Sequence, residues 1–105
     1  MDIMQKIDSE VKSNKIIIFM KGSKDAPQCG FSAAVVDMFK SLDVPFETRN
    51  ILEDESLREG VKKYTNWPTI PQIFINGKFI GGCDITREMF QNGELQELVK
   101  GISKT

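Results

Sequence analysis

The sequence predicts an α/β fold in which a four-stranded mixed sheet carries helices on both faces. Three observations lead there. KIIIFM, at 15–20, is a continuous β-branched apolar run, the pattern of a central strand covered on both sides. PFETRN, at 45–50, alternates and follows a helical pattern, which completes a parallel βαβ unit. QIFINGKFIGG then sets Asn76-Gly77 between two apolar strands, the signal for a two-residue type I′ hairpin and antiparallel pairing.

Each element has its own justification. Ile3, Ile7 and Val11 recur at four-residue spacing on an opening amphipathic helix, with Asp2 as its expected N-cap. KGSKDAPQ, at 21–28, reads as a loop. Phe31, Ala34, Val35, Met38, Phe39 and Leu42 share one face of a second helix, a buried stripe that Phe31 starts and Asp43-Val44-Pro45 ends. Leu57, Val61 and Tyr64 form the stripe of a third helix, with Asp54 as its candidate cap. After the hairpin, Asp84 is expected to cap a helix over 85–91, broken by Asn92-Gly93. Leu95, Leu98, Val99 and Ile102 form a final helix. No repeat, linker or low-complexity stretch interrupts the chain, so 1–105 is expected to be one domain. Helix, βαβ, helix, hairpin and helices is the thioredoxin-like order. It places Cys29 just beyond the carboxyl end of the first strand, where open α/β sheets put their sites.

Composition removes several function classes. The 105 residues carry Lys+Arg 14 against Asp+Glu 15, so neither nucleic acid nor an anionic membrane surface is the expected partner. No apolar stretch reaches the length of a membrane span. The opening MDIMQKIDSEVKSN is a polar helical pattern and not a signal peptide, so the chain reads as intracellular. Histidine is absent, which removes Ser-His-Asp and Cys-His nucleophile pairs and His-ligated zinc. Two cysteines, Cys29 and Cys83, are too few for a disulfide framework. Thiol activation must come from backbone dipoles and from Lys or Arg.

PQCGFSAAVV, at 27–36, puts Cys29 at a helix start and Ser32 where a two-cysteine redox site has its second thiol. A thiol there feels the positive end of the helix dipole and free N–H groups, and both favour thiolate. Gly30 lets the chain turn closely. Lys21 is a cation able to return to the same mouth. The bland alternative is a small apolar cysteine at a helix start. Ile70-Pro71 stands before the hairpin, where a proline cannot donate to the ladder. A cis peptide there leaves the Ile70 N–H and C=O free to pair with an extended peptide; a trans proline at a strand start is the ordinary alternative. GGCD, at 81–84, offers helix-start N–H groups to an anion and the Asp84 carboxylate to an ammonium, or Asp84 is a plain N-cap. Arg58 and Lys62, one turn apart, can receive a carboxylate or form a solvated charged face. Together these describe a groove for a short extended peptide with a zwitterion at one end and a carboxylate at the other. Glutathione has that layout.

KG(x)6CGFS at 21–32, WPTIPQ at 67–72 and GGCD at 81–84 resemble, in order and spacing, the monothiol glutaredoxins, and the resemblance covers nearly the whole chain. It implies a thioredoxin-like (glutaredoxin) fold with a cis Ile70-Pro71 peptide. It implies a glutathione site made from Lys21, Cys29, Phe31, Arg58, Ile70, Pro71, Cys83 and Asp84, with Lys62 matching less consistently. It further implies a [2Fe–2S] cluster bridging two protomers, ligated by Cys29 of each and by two glutathiones, and handed to acceptor proteins in iron–sulfur assembly and iron homeostasis. Such a cluster takes four soft ligands. The cluster-loaded form is then a homodimer and the apo form a monomer, with a BolA-like protein as a further partner. The implied compartment is a bacterial cytoplasm, or an organelle matrix after removal of a targeting segment. Lys24 stands where many members have proline, which bears on the stiffness of the loop.

Other readings use the same residues. A glutathione-dependent oxidoreductase uses Cys29 as its nucleophile; members with CGFS are generally weak in that activity, so the enzyme reading is secondary to cluster carriage. A non-catalytic adaptor predicts that Cys29→Ser keeps partner binding. A Cys29–Cys83 disulfide switch needs a Cα separation near ~6 Å. Zinc lacks enough ligands.

Overall fold

A computed structural model describes residues 2–102. Along the chain lie α1 (Ile3–Ser13), β1 (Ile16–Met20), α2 (Gly30–Ser41), β2 (Glu47–Asn50) and α3 (Glu55–Thr65). Then follow β3 (Gln72–Ile75), β4 (Lys78–Gly81), α4 (Cys83–Asn92) and α5 (Glu94–Leu98). The strands form one sheet in the order β2-β1-β3-β4. β1 pairs with β2 in parallel and with β3 antiparallel, and β3 pairs antiparallel with β4. This is the mixed sheet that the βαβ unit and the hairpin predicted.

β1 divides the core. Ile16, Ile18 and Met20 pack on one face with Val35, Phe39, Ile73 and Leu95, under α2, α4 and α5. Ile17 and Phe19 pack on the other with Ile7, Val11, Leu57, Val61 and Phe74, under α1 and α3. The period-two alternation of a strand sends successive apolar side chains to opposite faces, so a run without polar residues demands cover on both. Gly60 lets α1 and α3 close up, because a Cβ there would lie 2.8 Å from Ile7 Cδ1.

The local signals read from sequence are mostly realised. Asp2 caps α1 in a full capping box with Gln5, and the Asp54 carboxylate accepts from the Leu57 N–H to cap α3. Asn76 and Gly77 both have positive φ, 53° and 79°, as a type I′ turn requires.

Four expectations need correction. Asp84 is not the N-cap of α4: Gly82 holds that position and Cys83 is the first helical residue, so Asp84 lies within the first turn. Phe31 does not start the buried stripe; it is 58% exposed, and burial along α2 begins at Ser32. The last helix is shorter than its apolar pattern, for the chain leaves α5 at Leu98 and turns at Gly101, although Val99 and Ile102 still pack on the core. β2 begins at Glu47 because Pro45 has no N–H for the ladder and Phe46 turns into the core.

Candidate functional site

The carboxyl end of β1, the start of α2, the segment before β3 and the start of α4 meet around a cleft of about 680 Å³. Lys21, Cys29, Phe31, Arg58, Lys62, Ile70, Pro71, Cys83 and Asp84 all line it. Every site residue inferred from sequence is therefore in one place. Trp67, Pro68, Thr69, Gly82 and Ile85 line it too. The first three lie in the WPTIPQ motif, where sequence reasoning gave them no role, and Ile85 follows Asp84 on a helix whose facing direction only the fold fixes.

One wall is the loop 21–28 and the start of α2. Gly22 has φ +92°, and a Cβ there would fall 2.5 Å from the Ala26 carbonyl, so the loop requires glycine. The Gly22 N–H donates to Asn50 Oδ1 at 2.9 Å, and the Gln28 N–H to the Lys21 carbonyl at 2.9 Å. Lys24 supplies a third tie: Nζ donates to the Phe46 carbonyl at 2.6 Å and stands 4.8 Å from the centre of its ring. The residue that departs from the common proline thus pins the loop to the approach to β2.

Cys29 is the N-cap of α2 and half-buried. Its thiol pKa is pushed down, chiefly by the Ser32 backbone N–H, against burial, and further by the Phe31 N–H, the Lys21 charge and the Ser32 hydroxyl. Ser32 is fully buried, and its Oγ accepts from the Lys21 N–H at 3.2 Å. The serine therefore both stabilises the thiolate and ties the end of β1 to α2. Gly30 is not needed for a close turn: a Cβ there meets nothing within 4 Å.

The facing wall hangs on Gln72, which sequence reasoning passed over. Its side chain is fully buried; Nε2 donates to the Trp67 carbonyl at 3.0 Å and the Thr69 carbonyl at 3.1 Å, while Oε1 accepts from the Thr65 hydroxyl at 2.8 Å. A buried amide so satisfied fixes the loop that presents Ile70 and Pro71, whose shared peptide is cis. Trp67 packs edge-on against Phe79, ring centres 5.7 Å apart, which holds the same loop to β4.

Cys83 is buried in the α2–α4 core and its pKa is pushed up, mainly by desolvation. Both cysteines are free thiols. Arg58 and Lys62 reach the cleft from α3, as their one-turn spacing predicted, and Asp84 reaches it from α4. Among the described residues no group of three or more His, Cys, Asp or Glu side chains could hold a metal ion. Nor is any helix among them long and apolar enough to cross a membrane.

A thioredoxin-like sheet with one accessible, acidified thiol at a peptide-sized cleft defines a thiol protein that lacks the second thiol of a CxxC site. Comparison with known proteins narrows that class. The Glutaredoxin family model matches residues 16–80. A chloroplastic monothiol glutaredoxin of Arabidopsis thaliana is 57% identical over 94% of this chain, which spans 56% of that protein. A monothiol glutaredoxin, ycf64-like, of Synechocystis is 54% identical over 90% of this chain and 89% of its own. The crystal structure of a buckwheat glutaredoxin–glutathione complex superposes with a TM-score of 0.82 at 28% identity, covering 91% of this chain and 86% of that one. The chain belongs to the glutaredoxin family, among its monothiol members.

Proposed function

We propose that this protein binds glutathione in the cleft and, as a pair of protomers, carries a [2Fe–2S] cluster to acceptor proteins. The observation that carries this reading is the convergence of the acidified Cys29 thiol with Lys21, Arg58, Lys62 and Asp84 around one cleft. The three cations suit the carboxylate of the glycine end of glutathione, and the Asp84 carboxylate suits its ammonium. Ile70 and Pro71 lie between, where the middle of an extended tripeptide passes. The buckwheat glutaredoxin binds glutathione, and its fold is that of this chain.

As cargo, the cluster takes four soft ligands. Each chain offers one accessible thiol, because Cys83 is buried and its thiol form is favoured. Cys29 from two protomers and the thiols of two glutathiones make the set. A serine at position 32 leaves Cys29 no neighbouring thiol with which to close a CxxC disulfide and eject the iron. Ligands that are half non-covalent suit release to an acceptor, with a BolA-like protein as a further partner. A bacterial cytoplasm or an organelle matrix is the expected compartment.

The test is anaerobic reconstitution with iron, sulfide and glutathione, followed by visible absorption, circular dichroism and sizing. A brown, glutathione-dependent dimer that loses its spectrum in Cys29→Ser is the expected result. A colourless monomer sinks the carrier reading.

The lowered Cys29 pKa also favours a second activity. The Cys29 thiolate attacks the glutathione sulfur of a mixed disulfide, and the substrate leaves as a thiolate that takes up a proton. A second glutathione thiolate then attacks the Cys29-bound glutathione, releasing oxidised glutathione and restoring the Cys29 thiolate. Retained turnover of a glutathione mixed disulfide by wild type, and none by Cys29→Ser, marks this activity.

A further inference from the structure

β1 and β2 end side by side, with Met20 opposite Asn50, and the Ile51 N–H still donates to the Met20 carbonyl at 2.9 Å. Beyond that bond the chains part. Lys21 enters the loop that leads to Cys29, and Leu52 enters the turn that leads to α3. The Asn50 side chain ties them back together. Its Oδ1 accepts from the Gly22 N–H at 2.9 Å and from the Leu52 N–H at 3.0 Å, while Nδ2 donates to Glu53 Oε1 at 3.4 Å. Two N–H donors meeting one atom require the oxygen there, so the amide has a single orientation.

We infer that Asn50 is a positioning residue for the cationic end of the cleft, holding Lys21 in register with Arg58 and Lys62 so that the three converge on one ligand carboxylate. This deepens the glutathione reading and rests on it. Asn50 is not among the residues that line the cleft, so it acts through those it holds. The cations come from two separate segments, Lys21 from the exit of β1 and the other two from α3. Their mutual repulsion works against bringing those segments together. Asn50 opposes it by bonding both the peptide directly after Lys21 and the turn ahead of α3.

The other backbone groups of Lys21 are held from the α2 side. Its N–H donates to Ser32 Oγ at 3.2 Å, and its carbonyl accepts from the Gln28 N–H at 2.9 Å. Ser32 thus sets Lys21 against Cys29, whose thiol the lysine charge helps to acidify, and Asn50 sets it against α3. A site assembled beforehand in this way binds a carboxylate without first ordering two segments of chain.

The test is calorimetric titration of the full chain with glutathione and with its C-terminal amide, which lacks the charge of the glycine carboxylate. Asn50→Ala should weaken glutathione by about two- to fivefold, the range of an exposed charge pair, and leave the amide unchanged. Asn50→Asp keeps an oxygen acceptor for both N–H groups and should restore part of the loss. Asn50→Ser, with a shorter acceptor, carries the same comparison if Asn50→Ala does not fold. Equal weakening of both ligands overturns the assignment, because Asn50 then supports the cleft as a whole and not its cations. Unchanged glutathione binding overturns it too, as does an Asn50→Asp variant that restores nothing. A wild type that binds neither ligand defeats the glutathione site and this inference with it. A wild type that binds both equally defeats this inference alone, since no cation then serves the carboxylate.

Discussion

Cys29 and Cys83 occupy almost the same kind of position and behave in opposite ways. One is the N-cap of α2 and the other the first residue of α4, so both stand at the positive end of a helix dipole. Yet the Cys29 thiol is acidified and the Cys83 thiol is held protonated. The difference lies in what surrounds each sulfur. Cys29 is half-buried, with the Ser32 and Phe31 N–H groups and the Lys21 charge stabilising its thiolate. Cys83 is buried against the α2–α4 core, where desolvation outweighs the help from Arg87. A helix start therefore activates a thiol only where solvent and directed donors remain available to the anion.

Reactivity should show the largest contrast. At neutral pH, iodoacetamide should modify Cys29 at least about a hundredfold faster than Cys83, read by mass spectrometry of the two peptides. Comparable rates would erase the distinction between the sites. Next comes the wall that faces Cys29. Gln72→Leu strands the Trp67 and Thr69 carbonyls, while the Thr65 hydroxyl keeps the Val61 carbonyl, and should cost about 2–4 kcal/mol in urea unfolding. A loss below about 1 kcal/mol would mean that water replaces the amide without penalty.

Ser32→Ala is the sharper probe of Cys29 itself. It removes the acceptor of the Lys21 N–H and one donor to the thiolate, so it should cost about 1–2 kcal/mol of stability. It should also move the Cys29 alkylation midpoint to higher pH, without shifting that of Cys83. Unequal titration carries into stability with opposite signs. A thiol acidified by folding contributes stability that is present above its unfolded pKa and lost as pH falls through its folded one. A thiol raised by folding contributes stability that is present below the unfolded pKa and lost as pH rises towards the folded one. Between pH ~8 and ~10, Cys83→Ser should thus lose less stability than wild type and Cys29→Ser more. Tyr64, pushed up to about 12 by burial and by its bond to Asp8, adds a further alkaline loss that Tyr64→Phe should remove. The smallest effect belongs to Lys24→Ala, about 1 kcal/mol, seen as faster hydrogen exchange over 21–28 with the Cys83 segment unchanged.

Much of this was legible in the sequence because it depends on neighbours in the chain. The Asn76-Gly77 hairpin, the Asp2 and Asp54 caps and the division of the core by 16–20 follow from local patterns. Asp84 misled because an aspartate before a helical stripe looks like a cap, whereas Gly82 starts the helix with its backbone alone. Phe31 misled because its spacing fits the buried stripe, while α2 turns that first position towards the cleft mouth. Lys21, Cys29, Arg58, Lys62, Ile70, Pro71, Cys83 and Asp84 were readable from their motifs and spacing. Gln72 was not, since its work depends on the Trp67–Thr69 loop folding back over it.

The buried serine at position 32 has a kinetic consequence. A protein with a second thiol there would clear a disulfide at Cys29 by an internal attack, at a rate independent of what surrounds it. Ser32 cannot attack, and Cys83 is sequestered as a protonated thiol. A disulfide between Cys29 and an outside thiol must therefore wait for another thiol to arrive from solution. Its lifetime scales inversely with the concentration of that thiol, so the modified protein keeps time by the reducing capacity of its surroundings.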